Sequence, residues 1–582
     1  MKAMRTLRVI PLALASAFLL YPRSPPPLPE ATGAGNEAAL ASDEWIVDFR
    51  DDADPAAIRA LASRLGVALH PNSILEPSDH ILRGTVPAAA RAQLAADPLV
   101  EAVEPDFRVT LDDADLDEDP MPAEYAAPPR PAEPPDQPRT TFPRDPKFAH
   151  QWHLSQMHAP EAWKHAAGAG VVVAVIDTGV AYEDHGGFKR AADLAADRLV
   201  PGYDFVGDTE HANDDHGHGT HVAGTIAQAT DNGVGVSGIA YQARIMPLKV
   251  LSAAGSGNVA DISEAIRFAA DKGARVINLS LGGSMSSKVM EKAVAYAIKK
   301  GVTVVAAAGN SGQKSVGYPA GYPGVVAVAA TQFDESLAFY SNRGPRITLA
   351  APGGNTRVDQ NGDGFPDGVL QNTLLPGSTS EDGYLYYMGT SMASPHVAGV
   401  AALIIGAGTT EPAAVRRVLV ESARKPKIDC GGMCGAGLLD ADAAVRAAAL
   451  AFPVERTLYA LAFGLALFGL GALRVGILGG AAIGALGVPL VAGGSVLGLG
   501  ASPLLLGILL PVVLAGLLWG VRRLRPWLGG FAAGVAAACA FSLVAPVTQV
   551  AGLSLLPGLS TLWLLGSALG SAALARAVLR RR

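Results

Sequence analysis

Residues 171–179 read VVVAVIDTG. Val171 to Ile176 form an unbroken apolar run, mostly β-branched, and an Asp-Thr-Gly turns out of it. A strand with one wet face would alternate apolar and polar residues. This one does not, so it suits the middle of a parallel sheet covered on both faces. Four further runs share the signature: ARIMPLKVL (243–251), ARVINLSL (274–281), VTVVAAAGN (302–310) and VVAVAAT (325–331). Helical segments separate them: HVAGTIAQA (221–229), ISEAIRFAADKG (262–273) and SKVMEKAVAYAIKKG (287–301). Strands alternating with helices predict a doubly wound, mostly parallel α/β sheet over residues 144–450.

Composition bounds the rest. The 582-residue chain is 49% apolar and 17% charged, with 66 Gly, 41 Pro and a net charge of −7. It is too apolar to be wholly disordered and too long for one small binding module. With no basic excess, no nucleic-acid partner is expected. The average hides two parts. From Thr457 to Arg582 there is no Asp, Glu, Lys or His, and the only charges are Arg474, Arg522, Arg523, Arg525, Arg576 and Arg580 to Arg582. This tail carries +8, which leaves −15 on the first 456 residues.

At the N-terminus, Lys2, Arg5 and Arg8 precede a 12-residue apolar run, Val9 to Leu20. That length fits a signal-peptide core better than a full span. Residues 1–22 are expected to be a signal peptide or an N-terminal anchor, and both put the next domain outside the cytoplasm. Residues 43–108 read as a small α+β unit. EWIVDF, ILRGTV and LVEAVEPDF are its strands, and Pro55 to Leu65 and Pro87 to Ala96 its helices. Residues 109–143 are acidic and Pro-rich and read as a linker.

Beyond Thr457, five apolar stretches fall at 457–473, 476–498, 501–521, 527–549 and 553–575. Each is near the length of a spanning helix. With the preceding domain outside, every Arg cluster lies on the inner side, as the positive-inside rule requires. Pro489, Pro503, Pro511 and Pro546 leave four or six spans open. The expected region is a transmembrane bundle of about five helices with a cytoplasmic C-terminus, making the lipid bilayer a partner. The tail has no ionisable residue apart from these Arg, which disfavours an ion relay and favours a plain anchor.

The chemistry sits where strands give way to loops. Asp177-Thr178-Gly179 follows the first strand, His218-Gly219-Thr220-His221-Val222-Ala223-Gly224 opens a helix, and Gly389-Thr390-Ser391 opens another. A serine hydroxyl needs a base to become a nucleophile. A neutral imidazole can take that proton and return it. A carboxylate fixes the imidazole tautomer and stabilises the cation that forms. Asp177, His218 and Ser391 supply the three groups. Each motif alone has a duller reading: a turn for Asp-Thr-Gly, core or capping roles for the histidines, a bend for Gly282-Gly283. His216, His218 and His221 are zinc-type ligands close in sequence, but no matching Cys or carboxylate pattern supports a zinc site.

Taken together, these motifs resemble those of the subtilisin-like serine peptidases (subtilases). DTG, HGTHVAG and GTSMASPHVAG (389–399) match in order and spacing, as do VINLSLGG (276–283), VAAAGN (305–310), VGYPAGYPGVVAV (316–328) and GAGLLDADAAV (435–445). The resemblance implies a serine endopeptidase acting on proteins or peptides through an acyl-enzyme. Ser391 would be nucleophile, His218 general base and acid, and Asp177 the orienting carboxylate. Asn310 would donate to the oxyanion. Ser280, Leu281, Gly282 and Gly283 would pair with the substrate backbone by β-augmentation. His221 and His396 are read as structural. The resemblance makes 43–108 an inhibitory propeptide, so the chain's own propeptide is a further partner and the enzyme a self-processed zymogen.

Three signals stand apart. Asp359, Asn361, Asp363 and Asp367 alternate with glycines in DQNGDGFPD, a pattern that suits a structural Ca²⁺ or a polar turn-rich loop. An EF-hand would end in Glu at the twelfth position, where Leu370 stands. The chemistry itself needs no cofactor. Cys430 and Cys434 are expected to pair in an oxidising compartment, and Cys539 lies in the apolar tail. Two other classes compete with an active enzyme. One is a membrane scaffold whose inactive protease fold binds peptides. The other is a transporter-like bundle with a regulatory protease.

Overall fold

The computed structural model describes residues 44–75, 81–111, 136 and 140–449. The expected export segment at 1–22, most of the linker at 109–143 and the whole apolar tail at 457–582 lie outside the described residues. Among the described residues no helix is long and apolar enough to cross a membrane.

The N-terminal unit is a four-stranded antiparallel sheet with two helices. Its elements are β1 (Trp45–Phe49), α1 (Pro55–Leu65), β2 (His70–Pro71), β3 (Ile81–Gly84), α2 (Ala88–Ala95) and β4 (Val100–Pro105), in strand order β2-β3-β1-β4. Asp54 caps α1 by accepting from Ala56 N, and Gly66 closes it in the left-handed conformation. Val47 and Phe49 from β1 meet Ile58, Leu61 and Leu94 in a small core of their own. β5 (Arg108–Thr110) then leaves this unit and pairs with the larger domain.

That larger domain opens with two short helices, α3 (Trp152–Gln156) and α4 (Ala159–Ala162). It continues through β6 (Val172–Asp177), β7 (Tyr203–Asp204), α5 (His218–Ala227), β8 (Arg244–Lys249), β9 (Ser256–Asn258), α6 (Val259–Asp271), β10 (Val276–Leu279) and α7 (Lys288–Lys299). Next come β11 (Thr303–Ala307), β12 (Val326–Thr331), β13 (Leu349–Pro352), β14 (Val369–Leu374), β15 (Asp382–Tyr387), α8 (Thr390–Gly406) and α9 (Pro412–Ser422). Seven parallel strands form one sheet in the order β13-β12-β11-β10-β6-β8-β7.

Side-chain alternation along β6 shows why its sequence had to be apolar throughout. Val173 and Val175 enter the core that holds residues of α5, α8 and α9. Ala174 and Ile176 enter the opposite core, with residues of α6 and α7. Both faces are dry, so neither accepts a polar residue. Helix α8 lies buried from Thr390 to Ile405. It packs against the sheet with no solvent face, which explains why its sequence is apolar all round rather than amphipathic. The hairpin β14–β15 has no such sequence signature. Its buried Gln371, Asn372 and Thr373 interrupt any apolar pattern.

Candidate active site

Asp177 ends β6, His218 begins α5, and Ser391 lies in the first turn of α8. All three stand at the sheet edge where parallel strands deliver their carboxyl ends. His218 Nδ1 lies 2.7 Å from Asp177 Oδ1, and both side chains are buried. Asp177 Oδ1 also accepts from Thr178 N at 2.8 Å. Gly219 makes this approach feasible. A Cβ there would fall 2.1 Å from the Gly179 carbonyl oxygen and 3.1 Å from Asp177 Cβ. Helices α5 and α8 pack together, and Ser391 Oγ donates to the Ser280 carbonyl at 3.2 Å.

Beside the serine, two donors border one space. A methyl group at Gly389 would sit 3.5 Å from Asn310 Nδ2 and 3.5 Å from Ser391 N. Ser391 N–H belongs to the first turn of α8, where amides have no intrahelical acceptor. The Asn310 amide is oriented by Thr390, whose backbone N–H and hydroxyl each donate to Asn310 Oδ1 at 2.8 Å. This geometry suits an anion that develops on a substrate oxygen.

The four residues expected along the substrate edge divide into separate roles. Gly282 bridges Thr110 of β5 in antiparallel fashion. Gly283 pairs instead with Tyr318, through N–H···O bonds of 2.9 and 2.8 Å. Ser280 lies beneath Ser391. Its hydroxyl contacts the Ser391 carbonyl at 2.7 Å and Ser394 Oγ at 2.8 Å. Leu281 is buried between them. On the other flank β5 pairs antiparallel with β9, and Leu111 N donates to the Gly255 carbonyl at 2.8 Å. The end of the N-terminal unit is thus an extended strand between two edges of the cleft.

Two residues with no motif of their own organise the site. Asp214 is fully buried and accepts from Thr178 Oγ1 (2.8 Å), His216 N (2.9 Å), Gly217 N (2.9 Å), Thr220 N (2.9 Å) and Thr220 Oγ1 (2.6 Å). It thereby ties the Asp177 turn to the start of α5. Lys249, also buried, holds Asp215 at 2.6 Å and the Thr178 carbonyl at 2.7 Å. The only hint in the sequence is the acidic pair Asp214-Asp215 just before the HGHGTH stretch.

Three further histidines, His153, His221 and His396, are core groups. Burial pushes His221 down to about 3 and His396 down to about 4, and holds His153 well below the usual imidazole range. His221 Nε2 faces the Val369 and Leu385 carbonyls and its ring stacks on Tyr387. His396 bridges His153 Nδ1 and the Met392 carbonyl, both at 2.7 Å. Among the described residues no group of three His, Cys, Asp or Glu side chains is placed to hold a metal ion.

In the 359–367 loop the polar side chains turn onto their own backbone. Asp359 accepts from Gly362, Asp363 and Gly364 N–H groups, Asn361 from Asp363, and Asp363 from Phe365. Asp367 is fully buried with its Oδ1 unpartnered, and burial pushes it up to about 6, aided by Asp359 and Asp363. Cys430 and Cys434 are joined by a disulfide.

Comparison with known proteins fits this geometry. The Subtilase family model matches residues 168–441. An Extracellular protease of Xanthomonas campestris pv. campestris is 35% identical over 480 residues, covering 71% of this chain and 74% of that protein. Thermitase of Thermoactinomyces vulgaris is 39% identical over 267 residues, covering 46% and 86%. The Thermophilic serine proteinase of Bacillus sp. (strain AK1) is 32% identical over 432 residues, covering 72% and 94%. Among solved structures, fervidolysin from Fervidobacterium pennivorans aligns with a TM-score of 0.52 at 25% identity, covering 69% of this chain and 60% of that one. The chain therefore belongs to the subtilase family and is a subtilisin-like serine endopeptidase.

Proposed function

We propose that Ser391, His218 and Asp177 form the catalytic triad of a zymogen peptidase held at the outer face of a membrane. The 2.7 Å contact between His218 and Asp177, beside a serine in a helix first turn, carries the reading. Asp177 fixes His218 with Nε2 as the base. Ser391 Oγ attacks the scissile carbonyl and passes its proton to that nitrogen. The oxyanion is met by Asn310 Nδ2 and Ser391 N–H. Collapse expels the amine with the proton from His218, and water releases the acyl group by the same steps in reverse.

The N-terminal unit acts as inhibitor in this reading, because β5 fills the cleft edge that an extended substrate would use. Its carboxylates also cap two helices of the peptidase. Asp106 accepts from Ala260 N at 3.1 Å at the start of α6, and Glu104 accepts from Lys288 N at 2.9 Å at the start of α7. Ser391→Ala is expected to abolish substrate hydrolysis and to leave the precursor uncut. Normal processing in that variant would remove self-cleavage from the account.

The membrane tether rests on the sequence of the tail. A chain ending at residue 456 is expected in the medium or periplasm, and the full chain in carbonate-washed membranes. Equal partition of the two would refute the tether.

Calcium is the second element of the proposal, as a stabiliser without a catalytic part. Asp359, Asn361, Asp363 and Asp367 are all hard oxygen donors; the first three face the loop's own N–H groups and would have to turn to bind, while the buried, unpartnered Asp367 Oδ1 favours a cation. Saturating calcium over EGTA is expected to raise Tm by about 4 °C, and Asp367→Asn to cancel the rise. An unchanged Tm in the unsubstituted chain would dismiss calcium.

A further inference from the structure

Strand β8 ends its apolar run on a charge. Lys249 closes ARIMPLK and is only 4% exposed, in a sheet whose two faces are dry. It stands in register with Asp177 on the neighbouring parallel strand β6. A buried ammonium is costly unless its three donors all find acceptors. All three do, and each acceptor belongs to a different segment. Nζ donates to the Thr178 carbonyl at 2.7 Å, in the turn that follows Asp177. It donates to Asp215 Oδ1 at 2.6 Å, in the stretch that leads into His218 and α5. It donates to the Leu251 carbonyl at 2.8 Å, just beyond its own strand.

The same segment holds Asp177 by its main chain, which is a second, independent observation. The Asp177 carbonyl accepts from Val250 N at 2.9 Å and from Leu251 N at 3.1 Å. Residues 249–251 therefore fasten both the end of β6 and the approach to α5. Asp177 and His218 lie on these two separate elements, and their 2.7 Å contact depends on how the elements sit against each other. Asp214 joins the same two elements through neutral donors. Lys249 adds a charged link that comes from the sheet itself.

We propose that Lys249 is a positioning residue for the reaction, its ammonium fixing the Asp177 turn against the start of α5 so that the Asp177–His218 pair is set before substrate arrives. The proposal rests on the reading of Asp177, His218 and Ser391 as the triad. Lys249 touches no reacting atom. It acts through two groups that serve every proton transfer, so its removal falls on kcat and on the reactivity of Ser391 and spares KM. A lysine with a purely structural role would lower Tm when removed and leave the folded molecules as reactive as before.

The test compares the full chain in detergent with Lys249→Met, Asp215→Ala and Asp215→Asn. Methionine keeps the apolar stem and loses the donors. Alanine at 215 removes one acceptor of the ammonium at a partly exposed site. Trace unsubstituted enzyme, tagged for later removal, cuts any precursor that does not cut itself. Each chain is then measured well below its own Tm, for the rate of fluorophosphonate labelling at Ser391 and for kcat and KM on one peptide. Lys249→Met is expected to lower the labelling rate and kcat by about 10²-fold and Asp215→Ala by about tenfold, both with KM within about twofold. Asp215→Asn keeps an acceptor and should recover most of the alanine loss. Labelling at the unsubstituted rate in either folded variant, or a loss confined to KM or Tm, would overturn the positioning role. Where Lys249→Met does not fold, Asp215→Ala decides by the same measure. No labelling of Ser391 in the unsubstituted chain would overturn the triad reading and this proposal with it.

Discussion

Thr390 stands beside Ser391 and spends both its donors on Asn310 Oδ1, at 2.8 Å each. Removing the hydroxyl loosens the amide while leaving every reacting group in place. Thr390→Val is expected to lower kcat about tenfold with KM little changed, and Thr390→Ser to restore it. Steady-state kinetics on one peptide checks both. Asn310→Ala should lower kcat by about 10²–10³-fold, the magnitude known for the same donor in subtilisin. Asp177, His218, Ser391 and Asn310 were legible because each sits in a motif with a distinctive neighbourhood. Asp214 and Thr390 were not. Their work is to receive or donate hydrogen bonds around a turn, and any sequence offers many Asp and Thr beside glycines. Gly282 and Gly283 were not told apart for a related reason. A Gly-Gly pair reads as one flexible edge, while in the structure one glycine faces the cleft strand and the other pairs with Tyr318.

Helix α5 depends on its second residue being glycine. A Cβ at Gly219 would fall 2.1 Å from the backbone oxygen of Gly179, a contact no rotamer relieves. Gly219→Ala is expected to separate α5 from β6 and to abolish activity, with a loss of Tm measurable by calorimetry. A stable protein of normal activity would contradict the close approach. The helix caps supplied by the N-terminal unit give a milder test. Glu104→Ala should weaken inhibition by the isolated 43–111 segment by about tenfold, read as Ki, because α7 loses its capping carboxylate. The central strands were readable because burial on both faces demands unbroken apolar runs. The β14–β15 hairpin was not, since polar residues such as Gln371 and Asn372 are buried in it and hydrogen-bonded. β13 was missed because four residues, LAAP, give no pattern to read.

At the scale of the whole molecule, the contact between N-terminal unit and peptidase is rich in carboxylates. Burial pushes Asp261 of α6 up to about 7, with Arg83 opposing and Asp106 and Glu264 adding to the rise. Asp261 also accepts from Asn72 at 3.0 Å. Burial likewise pushes Asp48 up to about 6, opposed by Lys292 and Arg267 and raised by Glu101. Both carboxyls are raised in the joined state, so joining takes up protons. Inhibition should be tightest near and below their ordinary value of 3.8 and weaken as pH climbs through about 6 and then 7. Ki of the 43–111 segment, measured between pH 5 and pH 8, is expected to rise across that range. A Ki that falls would contradict the assignment. The division into an acidic soluble part and an Arg-only tail is a matter of charge counting and needs no structure. The joining of the two folded units was not legible, because it depends on pairs such as Arg83 with Asp261 that lie far apart in the chain. The central claim is that Ser391 is the nucleophile of a chain that cuts itself. Its most direct test is mass spectrometry of the purified full chain after treatment with a fluorophosphonate, with the N-terminus of the processed form sequenced from the same sample. An adduct is expected on Ser391 and none in His218→Ala, with a new N-terminus inside the 109–143 linker. A processed chain that carries no adduct at Ser391 would contradict it.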